Sequence, residues 1–205
     1  MNHSGSLRDK KDLRKELKRS LANLSADEIR DRSQKAAHQL TDFLKSHNHP
    51  VRTLGLYAPM SDEVQWNLSQ ELVNWINQEI KKGMIVCFPH FSADEKSGMK
   101  FYKTASCTIE ELKEIEVFQK KMLVPVSDQD ECIPDCLIIP GLGFTAEGIR
   151  LGRGKGYYDR YLFGKSSLKI GLTFETQICS FIPRDEHDIN LDVVITDQLM
   201  RRVNK

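Results

Sequence analysis

A glycine-rich segment with basic side chains, residues 150–159, carries the clearest chemical signal in the chain. It reads Arg-Leu-Gly-Arg-Gly-Lys-Gly-Tyr-Tyr-Asp, so glycines alternate with Arg153 and Lys155. Glycine lets backbone N–H groups approach an anion closely, and the basic side chains add positive charge. The segment therefore predicts a phosphate-binding loop, although a basic surface loop whose glycines only form turns would have the same composition.

Two common nucleotide-binding motifs are disfavoured, one within this segment and one just before it. Lys155 is followed by Gly156 rather than Ser or Thr, which disfavours a Walker A loop. The stretch from Gly141 to Ala146 matches the dinucleotide pattern G-x-G-x-x-A, but Glu147-Gly148 predicts a turn where that pattern requires a helix. A dinucleotide site is therefore also disfavoured.

The elements that must position this loop alternate between helices and strands. Helical periodicity and a capping box formed by Ser25 and Glu28 predict helices at 8–23, 25–45, 66–82 and 157–162. Apolar runs predict strands at 53–58, 84–88, 137–139, 169–173 and 193–196, with a further strand at 101–102 and short helices at 108–113 and around Cys179. The strand–helix alternation predicts an α/β fold with a mostly parallel sheet, preceded by two helices. Ligand sites in such sheets lie outside the carboxyl ends of the strands, here the loops after Ala58 and Ile139.

Composition and charge favour one ordinary globular domain over residues 1–205. The 205 residues carry a formal charge of +1 and have no low-complexity linker, so no general attraction to nucleic acid or an anionic membrane is expected. The five cysteines form no C-x-x-C pair, which favours free thiols in a reducing compartment and no zinc site at Cys132 and Cys136. Residues 1–9 lack the apolar core of a secretory signal, and no coiled-coil seam is present. We expect a cytoplasmic monomer without a membrane segment.

Four stretches, in the same order along the chain, resemble the 5-formyltetrahydrofolate cyclo-ligase family, also called 5,10-methenyltetrahydrofolate synthetases. They are Lys10-x-x-Leu-Arg14, Tyr57-x-x-Met-x-Asp-Glu63-Val, Pro140-Gly-x-x-Phe144 followed by segment 150–159, and His187-Asp188-x-x-x-Asp192. The resemblance covers nearly the whole chain. It implies a three-layer α/β/α sandwich. It also implies an ATP- and Mg²⁺-dependent conversion of 5-formyltetrahydrofolate into 5,10-methenyltetrahydrofolate, with release of ADP and phosphate.

The same resemblance implies which residues form the site. Those expected to bind ATP are Lys10, Arg14, Arg150, Leu151, Gly152, Arg153, Gly154, Lys155, Gly156, Tyr157 and Tyr158. Those expected to contact folate are Ala58, Glu63, Arg153, Gly154, Lys155, Gly156 and Tyr157, with Lys155 and Arg153 as the catalytic pair. Asp159 and Asp188 match the positions that bind Mg²⁺, a hard cation that prefers oxygen ligands. The spacing of Lys10 and Arg14 independently places both cations on one helix face.

The chain departs from the family at 122–126, where Met-Leu-Val-Pro-Val replaces a Gly-Ile/Leu-x-Glu-Pro-like or aromatic segment. Met122 could pack against a pterin ring through its thioether. By charge alone, Lys100, Lys103, Lys120 and Lys121 are candidates for a basic rim that attracts polyglutamylated folates. His187 is expected to be a surface or capping residue rather than a catalyst. Two alternatives stay open: another ATP-dependent ligase on this scaffold, and a non-catalytic nucleotide- or RNA-binding relative.

Overall fold

The computed structural model describes residues 9–92, 98–117, 120–126 and 130–203. Its α-helices are α1 (Lys10–Ala22), α2 (Ala26–Ser46), α3 (Gln70–Lys81) and α4 (Tyr157–Leu162). The predicted capping box is present, because the Ser25 hydroxyl accepts from the Glu28 N–H while the Glu28 carboxylate accepts from the Ser25 N–H. The helix predicted over 66–82 was too long. It starts as a separate 3₁₀ turn at Trp66–Leu68, and α3 begins only after the side chain of Ser69 caps it.

The strands of the principal sheet are β1 (Thr53–Gly55), β2 (Ile85–Phe91), β3 (Met99–Thr104), β6 (Glu131–Cys132), β7 (Cys136–Ile139), β10 (Leu168–Leu172), β11 (Val193–Ile195) and β12 (Met200–Arg202). Two hairpins complete the set: β4 (Lys113–Val117) with β5 (Lys120–Val124), and β8 (Gly143–Phe144) with β9 (Arg150–Leu151). The sheet has the order β12-β11-β10-β7-β1-β2-β3-β6. Strands β11, β10, β7, β1 and β2 run parallel, and β12, β3 and β6 are each added to the sheet by antiparallel pairing with their neighbour. The predicted α/β fold with a mostly parallel sheet and two N-terminal helices is confirmed.

Two hydrophobic clusters cover the two faces of this sheet. On one face, α1, α2 and α3 pack with Leu54, Val86 and Ile138. On the other, α4 and the β4–β5 hairpin pack with Leu137 and Ile139. The alternation of residues 137–139 between the clusters is what the period of two in a strand dictates. The result is a layer of structure on each face of the sheet.

The regular strand–helix–strand rhythm expected along the whole chain was wrong between β2 and β7. The helix predicted at 108–113 is a 3₁₀ turn at Ile109–Glu111, and the chain then forms the β4–β5 hairpin. Strand β1 ends at Gly55 rather than residue 58, although the Leu56 N–H still donates to the Cys87 carbonyl. Strand β2 continues to Phe91, beyond the predicted end. The helical turn expected around Cys179 lies just before it, at Glu175–Gln177.

Candidate active site

A cavity of about 450 Å³ lies where the chain leaves the carboxyl ends of β1, β2 and β7. This volume is within the range of small-molecule sites. Every site residue predicted from the sequence lines it: Lys10, Arg14, Ala58, Glu63, Arg150, Leu151, Gly152, Arg153, Gly154, Lys155, Gly156, Tyr157, Tyr158, Asp159 and Asp188. Residues separated by more than a hundred positions in the chain therefore face one volume.

Helix α1 supplies the two N-terminal cations. Leu13 and Leu17 are buried, and the stripe beside them on the helix carries Lys10 and Arg14. Arg14 Nε donates to the Gly152 carbonyl over 2.9 Å. Lys10 Nζ bonds to the carboxylates of Asp188 and Asp185. Burial opposes the charged form of Lys10, but the hydrogen bonds to the two acids outweigh it and raise the pKa of Lys10.

The glycine-rich segment is held at both ends. At its start, β9 pairs with β8, and the Arg150 guanidinium donates to the Pro140 carbonyl and to both carboxylate oxygens of Asp159 at 3.1 and 3.0 Å. At its end, Gly156 caps α4 with φ +64°, and Gly154 has φ +101°. Residues other than glycine rarely adopt such positive φ angles, so the path of the loop requires glycine at these two positions. Lys155 lies between them on the exposed side of the cavity.

Arg153 joins the glycine-rich segment to the loop after β1. Its Nε and Nη2 donate to Glu63 Oε1 at 3.0 and 2.9 Å, and its Nη1 and Nη2 donate to the two oxygens of Asp62 at 3.2 and 2.5 Å. The Met60 N–H donates to the other oxygen of Glu63. Burial raises the pKa of Glu63, although the neighbouring Arg153 opposes that rise. A charged triad thus lies at the cavity wall.

The loop that carries Glu63 is fixed by buried hydrogen bonds. The Tyr57 hydroxyl donates to the Val64 carbonyl over 2.9 Å, and the Trp66 indole N–H donates to the Tyr57 carbonyl over 2.9 Å. Both side chains are almost fully buried. Because a buried polar group must keep a partner, these bonds set the shape of the loop between them.

The β4–β5 hairpin adds an apolar wall. Val117, Met122 and Leu123 line the cavity together with Phe91 from β2. Met122 therefore lies on the cavity wall, and its contact with a pterin ring stays a prediction. Among the four lysines expected to form a basic rim, Lys121 lines the cavity and pairs with Glu114.

The remaining sequence candidates lie elsewhere. Lys100 pairs with Glu131 and Lys103 with Asp130, both away from the cavity lining. The Lys120 side chain lies outside the described part of the structure. His187 is exposed against the ring of Phe163, as expected for a surface residue, and the five cysteines are free thiols.

Two acids of the site were not singled out by the sequence patterns. Asp185 contacts Lys10, and Asp62 contacts Arg153. Asp62 stands next to Glu63 inside a family motif, so its position was available as a signal. Asp185 gives no such signal, because its role depends on where the chain returns to α1.

The donor set of the cavity includes carboxylate oxygens of the kind that suit a magnesium ion. Asp159 and Asp188 both line the cavity and offer the hard oxygen ligands that Mg²⁺ prefers. Each now contacts a cation, Arg150 or Lys10. Within the described residues, three metal-type side chains approach one another closely at His38, Asp42 and Glu71 on the surface. A cavity-bound Mg²⁺ would therefore depend on phosphate oxygens and water for most of its shell.

Comparisons with known proteins agree with this geometry. A curated relative from Mus musculus, named 5-formyltetrahydrofolate cyclo-ligase, is 32% identical over 200 residues and aligns 91% of this chain with 92% of its own. A relative of the same name from Mycoplasma pneumoniae is 30% identical over 193 residues, with 93% and 99% covered. The solved structure of Aquifex aeolicus 5,10-methenyltetrahydrofolate synthetase has a TM-score of 0.70 at 28% identity and covers 96% of this chain and 93% of that chain.

Two further findings concern the helices of the structure and the family of the chain. No helix in the described ranges is long and apolar enough to cross a membrane. The family model for 5-formyltetrahydrofolate cyclo-ligases matches residues 6–197. The family identified from the four sequence stretches is confirmed, and this chain belongs to the 5-formyltetrahydrofolate cyclo-ligase family of enzymes.

Proposed function

We propose that this protein converts 5-formyltetrahydrofolate into 5,10-methenyltetrahydrofolate with consumption of ATP in the presence of Mg²⁺. Family membership supports the folate substrate. The observation that carries the proposal is that the cations of α1, the glycine-rich segment and Glu63 line a single cavity. Basic groups suited to phosphate and a buried carboxylate suited to the N–H groups of a heterocycle thus line one volume.

The chemical difficulty of the reaction is the formyl oxygen, which is a poor leaving group. Transfer of the γ-phosphoryl group breaks its bond to the β-phosphate oxygen, releases ADP and forms a new P–O bond to the formyl oxygen. N10 then attacks the formyl carbon and loses its proton to solvent, and the C–O bond breaks with departure of phosphate. Positioning and positive charge are what this chemistry asks of a protein.

The basic residues divide between holding ATP and stabilising transferred charge. Lys10, Arg14 and the backbone of the glycine-rich segment would hold the phosphates. Lys155 and Arg153 would stabilise the charge on the transferring oxygens, because both line the cavity on the loop where the family resemblance implies that ATP and folate meet. Arg14 also orders this loop through its bond to the Gly152 carbonyl.

The folate side of the cavity is assigned to the loop after β1 and the β4–β5 hairpin. Glu63 would accept hydrogen bonds from the amino and ring N–H groups of the pterin. Ala58 would contact the substrate through its backbone or small side chain, and Met122 would pack on the ring. Burial of Glu63 strengthens such hydrogen bonds because water does not compete for them.

Mg²⁺ would be held by Asp159 and Asp188, and when bound it would neutralise phosphate charge. Lys10 contacts Asp188 and Arg150 contacts Asp159, so each carboxylate is held in place at the cavity by a cation. For Asp188, burial works against ionisation, but hydrogen bonds from the Asp185 N–H and Lys10 lower its pKa.

An absorbance assay for methenyltetrahydrofolate tests the proposal. Purified protein is incubated with 5-formyltetrahydrofolate, and ATP and Mg²⁺ are omitted in turn. Product that requires both is the expected result. Absence of product from folded protein that binds ATP would overturn the assignment in favour of another ligase or a non-catalytic binder.

A further inference from the structure

The triad of Asp62, Glu63 and Arg153 includes one residue, Asp62, to which the proposed reaction assigns no role. Glu63 and Arg153 both have assigned roles, at the pterin and at the transferring oxygens. Asp62 has none, yet it makes a bidentate contact with Arg153. The side chain of Asp62 is 31% exposed, whereas that of Glu63 is 7% exposed. The two acids therefore meet the same guanidinium from different environments.

The two carboxylates bind different edges of Arg153. Glu63 takes the edge formed by Nε and Nη2, and Asp62 takes the edge formed by Nη1 and Nη2. These contacts use the Nε–H, both N–H groups of Nη2 and one N–H of Nη1. A substrate oxygen can bind either edge in a bidentate manner only by replacing one of the acids.

Position in the cavity decides which acid is replaced. Glu63 lines the cavity, and Asp62 is outside its lining. A pterin whose N–H groups bind the Glu63 carboxylate competes directly with the Nε–Nη2 edge of Arg153. Because the acid on that edge lines the cavity and the acid on the other edge does not, the acid that Arg153 would give up to a substrate is Glu63.

We infer that Asp62 is a positioning residue that holds the outer edge of Arg153 while the inner edge passes from Glu63 to the substrate. This inference rests on the proposed function. Without Asp62, a guanidinium released by Glu63 would lose the hydrogen bonds that the described residues give it, on a loop that contains Gly154 and Gly156. Ordering a free arginine side chain costs conformational entropy, and the ion pair with Asp62 meets that cost before the substrate arrives.

The exchange also adjusts charge. In the triad, one guanidinium faces two carboxylates, and burial makes the second of these unfavourable, as the raised pKa of Glu63 indicates. When Glu63 turns to the pterin donors, Arg153 keeps one acid and gains an edge for a phosphoryl or formyl oxygen. Binding of the correct heterocycle is thereby coupled to exposure of the cation that the reaction requires.

The test is a double-mutant cycle of Asp62→Asn with Arg153→Lys, because lysine keeps the charge but lacks the fork. In the wild-type background, Asp62→Asn should lower kcat roughly 10- to 100-fold and raise the KM for folate less than it lowers kcat. In the Arg153→Lys background, the same substitution should change kcat less than about threefold, since the group it positions is gone. Glu175→Gln is the matched control: it removes another bidentate arginine pair, with Arg201, outside the cavity lining, and should leave kcat unchanged.

Each outcome has one interpretation. Absence of product from the wild-type enzyme overturns the proposed function. Product from the wild type with an unchanged kcat for Asp62→Asn, or an equal loss in both backgrounds, overturns the positioning role while the proposed function stands.

Should Asp62→Asn fail to fold, the structure of the wild-type protein with 5-formyltetrahydrofolate bound gives the decision. Retention of the Asp62–Arg153 contact with loss of the Glu63–Arg153 contact supports the inference. Separation of Arg153 from Asp62, or retention of the bond to Glu63, refutes it.

Discussion

Two ionic clusters in this protein use the same kinds of residues in different surroundings. One comprises Asp62, Glu63 and Arg153 at the cavity, and the other comprises His38, Asp42, Lys45 and Glu71 between α2 and α3. In the cavity cluster the side chains are 7% to 31% exposed, and in the surface cluster they are 43% to 60% exposed. Their hydrogen-bond lengths overlap, so exposure is the physical difference between them.

Exposure reverses the direction in which the glutamate pKa moves. In the cavity, burial raises the pKa of Glu63 although Arg153 is in contact with it. On the surface, hydrogen bonds from His38 and Lys45 lower the pKa of Glu71, because burial opposes ionisation only weakly there. Loss of a partner in the cavity leaves a charge that water cannot easily reach, whereas on the surface water replaces it. Substitutions should therefore have large effects in the cavity and small ones between α2 and α3.

The largest effect should come from Lys155→Ala. We expect kcat to fall roughly 10²- to 10³-fold with the KM for folate changed only a few fold, because this charge matters most during phosphoryl transfer. Steady-state assays of methenyltetrahydrofolate formation measure both constants. Lys165→Ala is the control, since Lys165 lies over the Tyr161 ring and outside the cavity lining. An unchanged kcat with a raised KM would move Lys155 to ground-state binding.

Next in size is the loss of stability when a buried pair is broken. Arg150→Ala removes the guanidinium that pairs with Asp159, and the Arg150 side chain is only 6% exposed. The substitution should therefore lower the free energy of unfolding by about 2–3 kcal/mol. Lys45→Ala, which removes the exposed partner of Glu71, should cost less than about 1 kcal/mol. Urea unfolding of both variants gives the two values. Equal losses would mean that burial does not set the cost of losing an ionic partner in this protein.

A smaller effect is expected on the magnesium requirement. Asp159→Asn replaces one anionic oxygen of the proposed metal site, so the Mg²⁺ concentration for half-maximal activity should rise about tenfold. Magnesium titration at saturating ATP measures it. Asp42→Asn removes an exposed acid of the surface cluster and should leave the titration unchanged. If both variants titrate as the wild type does, Asp159 is not a metal ligand.

Structure that depends on neighbouring residues could be predicted from the sequence, whereas structure that depends on distant partners could not. Local signals identified the two N-terminal helices, since the Ser25 capping box and the buried leucine stripe of α1 are properties of neighbouring residues. The central strands were likewise indicated by buried apolar runs. The antiparallel strands β6 and β12 were not, because their few residues are largely polar or exposed, form no apolar run, and are defined by the strands they pair with.

Which residues line the cavity was predictable, but the pairing among them was not. Family motifs named every predicted residue that now lines the cavity. They did not show that Arg153 would bridge Asp62 and Glu63, because that contact joins segments ninety positions apart. Which cation faces which acid is decided by how the loops after β1 and β9 meet, and no local pattern contains that information.

The smallest effect should be the pH dependence of stability that the surface cluster contributes. The hydrogen bond with Glu71 raises the pKa of His38, the nearby Asp42 adds to it, and Lys45 opposes it. A raised folded-state pKa gives stability that is fully present below the unfolded value of about 6.5 and is lost as the pH rises through the folded value. We therefore expect the wild type to lose under about 0.5 kcal/mol more than His38→Gln between about pH 5.5 and about pH 8, because solvent screens a side chain that is 57% exposed. Urea unfolding at both pH values measures the difference, and Glu71→Gln should reduce it in the same way. A difference above about 1 kcal/mol would mean that the exposed histidine is coupled to its acids as strongly as a buried charge, and exposure would then not explain why the two clusters differ.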